Sequence, residues 1–142
     1  MLIATQNPQK ENRVVETLPP VVSSIKGIDV IYAFIDDKGL ANITLINKTG
    51  KPIVGLSLSA GNLTFSDDNG IGQDNPKILI APNDSYTFQE SVANLKGNET
   101  IRVSAVFYAD NSEEGDEAVR KNIHEERERQ RQKRIKDSKE KN

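Results

Sequence analysis

An all-β fold, two antiparallel sheets stacked as a sandwich and followed by a charged C-terminal α-helix, is what this sequence predicts. Three observations lead there. Apolar and polar residues alternate with a period of two at 40–46, 54–60 and 100–109, the signature of strands with one buried face. Gly, Asn, Asp and Pro interrupt these runs about every 8 to 12 residues. After Ser112 the alternation stops and charge takes over: residues 113–142 hold nine acidic residues, ten basic ones and a single His.

Residues 1–20 are polar apart from a few aliphatics, which predicts a flexible leader with an edge strand at 13–18. Pro19-Pro20 ends any pairing, because proline has no amide hydrogen to donate. A short strand is expected at 21–25. In the next run Ile28, Val30, Tyr32 and Phe34 alternate with Asp29, Ile31, Ala33 and Ile35; both faces are largely apolar, so this strand is expected to be well buried. Asp36-Asp37-Lys38-Gly39 supplies a turn.

The stretch 40–60 is the expected organising pair. Ile43 and Leu45 face one way in its first run, and Val54, Leu56, Leu58 and Ala60 share a face in its second. The turn Asn47-Lys48-Thr49-Gly50-Lys51 between them predicts that the two strands lie side by side as an antiparallel pair. Residues 61–76 are expected to be a long irregular loop, followed by a short strand at 78–80, a turn at 82–84, a strand at 86–90 and a turn at 96–99. In the last strand, 100–109, Ile101, Val103, Ala105 and Phe107 form one face, with Arg102, Ser104, Val106 and Tyr108 opposite. Six to eight short strands so spaced point to a sandwich of the immunoglobulin-like type.

Asp116 is placed to cap a helix, with Glu117 in its first turn. Val119 and Ile123, four residues apart, would pin that start to the sandwich. Beyond Ile123 the helix rests on pairs such as Glu117–Lys121, Glu125–Arg129 and Glu128–Arg131, worth about 0.2–0.5 kcal/mol each. Fraying is expected near Lys136, with a disordered tail beyond. The domain reading is therefore a leader at 1–20, a sandwich at 21–112, and a charged helix and tail at 113–142.

With 142 residues, 35% hydrophobic and 28% charged, the chain holds one small core between solvated ends. It has no cysteine, which excludes disulfides, thiolate metal sites and thiol nucleophiles. No apolar run reaches the roughly 18 residues a membrane span requires. The net charge of −2 gives no global attraction to nucleic acid.

Two stretches resemble bacterial exported domains of unknown function with an immunoglobulin-like fold. The first is Ile43-Thr44-Leu45-Ile46-Asn47-Lys48-Thr49-Gly50-Lys51-Pro52-Ile53, similar to a recurrent strand, Asn, polar turn, Lys-Pro-Ile, strand. The second is Val106-Phe107-Tyr108-Ala109-Asp110-Asn111-Ser112 followed by Gly115-Asp116, similar to a final strand with its turn and a charged helix. Where that pattern has Asp-Gly and an aromatic, this chain has Asn111 and Glu114. The resemblance spans about 21–131. It implies an extracytoplasmic location, periplasmic or secreted, with no signal peptide in these residues, and it assigns no functional residue.

Candidate chemistry is sparse. Ser66-Asp67-Asp68-Asn69-Gly70 with Asp74 offers carboxylate and amide oxygens of the kind Ca²⁺ takes, and Asp67, Asn69 and Asp74 are the candidate ligands; a structural turn is the simpler expectation. The carboxylates Glu113, Glu114, Asp116 and Glu117 sit where a helix start needs them. His124 has no visible catalytic partner. There is no Gly-x-Ser-x-Gly, phosphate-binding Gly loop or His-Glu-x-x-His. Residues 127–136 hold six basic residues and one acidic one, without aromatics for base stacking or an apolar face for lipid, and read as a solvated tail. Asn42, Asn47, Asn62, Asn83 and Asn98 begin Asn-x-Ser/Thr triplets, expected by chance in so Asn- and Thr-rich a chain. The expectation is a non-catalytic interaction module of an exported bacterial protein, needing no cofactor and acting through protein or cell-envelope contacts. The alternative is a carbohydrate- or calcium-binding module using loop 61–76.

Overall fold

The computed structural model describes residues 18–71, 73, 75–91 and 99–140. The predicted leader with its strand at 13–18 (Leu18 apart), Asp74, most of the turn at 96–99 and the last two residues lie outside these. The described residues form β1 (Val21–Ser23), β2 (Ile28–Ile35), β3 (Leu40–Asn47), β4 (Ile53–Ala60), β5 (Leu63–Asp68), β6 (Ser85–Ser91), β7 (Ile101–Tyr108), β8 (Glu113–Gly115) and helix α1 (Glu117–Glu140). One sheet runs β1-β7-β4-β5, with β8 also on β7; the other runs β2-β3-β6. All pairings between these strands are antiparallel except β1 with β7. Both sheets feed one apolar cluster: Ile28, Ile43, Leu45 and Phe88 from one, Leu56, Leu58, Ile101, Val103 and Val106 from the other.

The expected pairing across 40–60 is not found. β3 and β4 belong to different sheets, and the connection at 48–52 crosses between them. Asn47 explains how. Its side chain is fully buried, at 0% exposure. Its amide donates to the carbonyls of Lys51 (2.7 Å) and Ile80 (3.2 Å), and its oxygen accepts from the N–H of Thr49 (3.0 Å) and from Thr49 Oγ1 (2.6 Å). A buried amide with its donors and acceptor satisfied acts as a clamp, here turning the chain out of one sheet and into the other. The hairpins fall elsewhere. β2 and β3 pair across a turn in which Asp36 Oδ1 accepts the N–H of Lys38 and Leu40, both at 2.9 Å. β4 and β5 pair across Gly61-Asn62, so residues 63–68 of the expected loop are a strand. At 78–80 the expected strand is reduced to a bridge between Ile80 and Ile53.

Two bulges change which side chains meet. Between β4 and β7 the register slips at Ile53/Gly55 and again at Ser57/Leu58, the latter leaving Ser104 without an opposite residue. A one-residue slip moves each following side chain to the other face. Ile101 and Val103 therefore point into the shared core, as do Val106 and Tyr108, while Ala105 and Phe107 point outward with Val54. The single face expected for Ile101, Val103, Ala105 and Phe107 is thus split in two.

Those outward residues are covered by α1. Ile123 joins Val54, Ile71, Ala105 and Phe107 in a second cluster, with Val119 and Ala109 against it. As expected, Asp116 Oδ1 caps the helix by accepting the Val119 N–H at 3.0 Å. Helix continues to Glu140, past the expected fraying point. Glu128–Arg131 forms at 2.7 Å, whereas Arg129 pairs with Glu126 and not Glu125, also at 2.7 Å. Among the described residues no helix is long and apolar enough to cross a membrane.

Candidate functional site

At the end of β5, adjacent side chains point to opposite faces, as in any strand, so Asp67 and Asp68 do not converge. Asp67 turns inward, where its Oδ2 accepts the Tyr86 hydroxyl at 2.5 Å. Burial first, then the hydrogen bond to Asp67 and the Asp67 charge, push the Tyr86 phenol up to about 12. Asp68 turns toward the helix and pairs with Arg127, while its Oδ1 accepts the Gly70 N–H at 3.1 Å. Asn69 bonds backbone only: its N–H donates to Val54 (2.8 Å) and its side-chain amide to the Ile78 carbonyl (3.3 Å). Of the candidate cation ligands, then, Asp67 holds a tyrosine, Asn69 closes a turn, and Asp74 lies outside the described residues. No group of three or more Asp, Glu or His is arranged to hold a metal ion among the described residues.

Glu113 and Glu114, expected at a helix start, form instead the short strand β8. Gly115 ends it at φ 109°, where a Cβ would strike the Ser104 carbonyl of β7; only glycine allows the two backbones to come so close. From β8 the Glu113 carboxylate reaches Arg120 (3.3 Å) and accepts from His124 Nε2 (2.8 Å). His124 in turn sets its ring edge-on against Phe107, centroids 5.5 Å apart. The sole histidine thus fastens the helix. Arg127, the last residue of the seat, pairs with Asp68, and its Nε is buried without a partner.

The structure brings the two resemblance stretches together. Lys51 Nζ lies 3.3 Å from Asp110 Oδ2, donates to Ser112 Oγ at 3.0 Å, and sits 4.8 Å above the Tyr108 ring. Asp110 also accepts the Ser112 N–H (2.9 Å) and hydroxyl (2.5 Å). The Ser112 hydroxyl above all, then its N–H, and then Lys51 lower the Asp110 carboxyl to about 2. Burial raises the Tyr108 phenol to about 12, with the Glu114 carboxylate adding to the effect. Each of these groups is occupied in tying the 48–52 crossing to the turn after β7. Among the triplets, Asn42 is buried at 5% and donates to Asp36 Oδ2 (2.9 Å), and Asn47 is the clamp described above; neither presents an amide to solvent.

Beside the helix start lies a groove of ≈640 Å³ lined by Ser24, Ser59, Thr64, Arg102, Ser104 and Asp116, among others. Its hydroxyls largely serve the sheet: Ser24 donates to the Val103 carbonyl (3.0 Å), Ser59 to Ser104 Oγ (2.8 Å) and Ser104 to the Ser57 carbonyl (3.2 Å).

The most open apolar surface is on the other sheet. β2 pairs with β3 alone, so among the described residues no strand pairs with its second edge. A bulge between Val30 and Tyr32 shifts its register there, and Ile31 stands 53% exposed, Tyr32 60% and Phe34 39%. The Tyr32 and Phe34 rings lie 5.1 Å apart. Across the sheet they stand in rows with Asn42–Gln89 and Thr44–Thr87, the two threonine hydroxyls bonded at 2.8 Å. β2 was expected to be well buried; only Ile28 is. Apolarity on both faces marks a strand but does not say whether a neighbour covers it, and the bulge has no local signal. Comparison with protein-family models, with curated proteins and with solved structures finds no match.

Proposed function

We propose that the chain is a non-catalytic, immunoglobulin-like interaction module of an exported bacterial protein, binding a protein partner through β2. Strand order supports the sandwich reading. On this reading β2-β3-β6 take the places of strands A-B-E and β5-β4-β7, with the short β8, those of C′-C-F-G; β1, parallel to β7 in the same sheet, falls outside that scheme. The compartment rests on the sequence resemblance. The observation that carries the function is the open β2 edge with Ile31, Tyr32 and Phe34 beside it. An unpaired edge offers main-chain hydrogen bonds to an added strand, and the exposed side chains supply apolar contact and selectivity. Natural proteins blunt such edges with lysine, proline or a bulge; β2 has neither lysine nor proline, and its one such device is the bulge at Val30/Tyr32.

A photo-crosslinking residue placed at position 31, and separately at position 125 on the helix, tests this in envelope extract. A discrete adduct at 31 that disappears with Tyr32→Glu, and no adduct at 125, supports the reading. Equal labelling at both positions, or turnover of a substrate by the purified chain, contradicts it. The loop 61–76 reading as a calcium or glycan site has no comparable support: Asp67 and Asp68 are already held by Tyr86 and Arg127.

A further inference from the structure

Helix α1 continues well past its seat. Val119, Ile123 and Arg127 mark the stripe that meets the body, and every side chain from Glu128 to Lys139 is exposed. The stretch 128–140 adds about 20 Å of helix beyond Arg127. Within it the basic residues fall in two sets. Arg127, Arg131 and Arg134 follow i, i+4, i+7 spacing and so form one stripe; Arg129, Lys133 and Lys136 form a second with the same spacing. An offset of two residues is about 200° of rotation, which puts the stripes on opposite sides of the helix.

Like charges four apart destabilise a helix, so Arg127/Arg131 and Arg129/Lys133 weaken this stretch when it stands alone. Glu126 and Glu128 offset part of that by pairing with Arg129 and Arg131. Lys133, Arg134 and Lys136 have no ion-pair partner among the described residues. The rest of the chain has the opposite sign: residues 1–116 hold nine basic and fifteen acidic residues, against six and one over 127–136.

We propose that 128–139 is a docking arm for a flexible linear phosphate polymer, which lies along both basic stripes. Charge complementarity selects the occupant. Phosphate oxygens accept both the arginine fork and the lysine ammonium. A flat anionic lipid surface reaches one stripe only, and the arm has no apolar face to insert beside it, Ile135 being the one aliphatic after Ile123. Stacking on bases has no aromatic platform. The negative body repels the same polymer and confines it to the arm. This surface is separate from β2, so either proposal stands without the other.

Long-chain inorganic polyphosphate added to the full chain tests it, with binding followed by calorimetry and helicity by circular dichroism. Binding is expected to raise helicity. It is also expected to weaken about 100-fold between about 50 and about 200 mM salt, as release of counterions from several phosphates requires. The variant Lys133→Gln/Arg134→Gln/Lys136→Gln changes exposed residues that have no ion-pair partner among the described residues; it should bind at least tenfold more weakly with unchanged thermal unfolding. No binding at about 50 mM salt, equal binding by that variant, or tighter binding to duplex DNA or to anionic vesicles overturns the proposal.

Discussion

The two sheets are built from similar residues and treated very differently. The five-stranded sheet is covered on both sides, by the shared core within and by α1 without, and β4 and β7 are buried almost end to end. The three-stranded sheet is covered on one side only, and β2 and β6 show mostly exposed or half-exposed positions. One sheet therefore holds the molecule together, while the other, among the described residues, has an outer face that no helix or strand covers. The proposed binding surface, the outer face of the three-stranded sheet, lies where removing a side chain costs the fold little.

Substitutions can break that contrast, beginning with the largest effect. Leu56→Ala, in the middle of the covered sheet at 1% exposure, should cost about 3–5 kcal/mol in urea unfolding, the range for large-to-small changes in cores. Ile123→Ala removes the helix side chain that seals the outer cluster. The site lies near the surface and relaxes, so about 2 kcal/mol is expected, with a matching loss of helical signal on thermal unfolding. Tyr32→Ser or Phe34→Ser on the uncovered sheet should move stability by no more than about 0.5 kcal/mol. A loss at Tyr32 as large as that at Leu56 would mean the outer face is packed in solution.

Acid sharpens the comparison at the turns. Asp110, beside the covered sheet, is lowered to about 2, chiefly by the Ser112 hydroxyl. Asp36, at the β2–β3 turn, is lowered chiefly by the Asn42 amide. A carboxylate with a depressed folded value stabilises the native state above its unfolded value, near 3.8, and that contribution is lost as pH falls through the folded one. The Asp110 turn should therefore loosen between about pH 4 and pH 2 and the Asp36 turn as pH falls below about 4, and Asp110→Asn should flatten the Asp110 part of the stability profile. At the other extreme, Tyr86 and Tyr108 are raised to about 12. Their stabilisation is complete below pH 10 and is lost as pH rises toward 12, so ultraviolet titration should show two phenols ionising near pH 12.

Much of the fold was legible in the sequence. Alternation located β3, β4, β6 and β7; Asp116 and the Val119/Ile123 pair located the helix start and its seat. What stayed hidden was relational. The run at 40–60 reads locally as a hairpin, and only the buried contacts of Asn47 with Ile80, distant in sequence, reveal a crossing between sheets. The bulge that leaves Ser104 unpaired is set by the partner strand, so Ala105 and Val106 exchange faces without any signal of their own. β5 was concealed by its polar end: Asp67 and Asp68 look like loop residues until Tyr86 and Arg127 are placed against them. Asp67 and Asp68, the neighbouring carboxylates of the stretch that suggested a cation site, are separated by the pleat of the strand.

Residue-by-residue amide hydrogen exchange along β2 and β7 tests the asymmetry of the two sheets most directly. The account predicts continuous slow exchange along β7, which has strands on both sides, and along β2 an alternation in which the amides facing away from β3 exchange orders of magnitude faster. Uniform slow exchange along both strands would contradict it, because the β2 edge would then already be occupied.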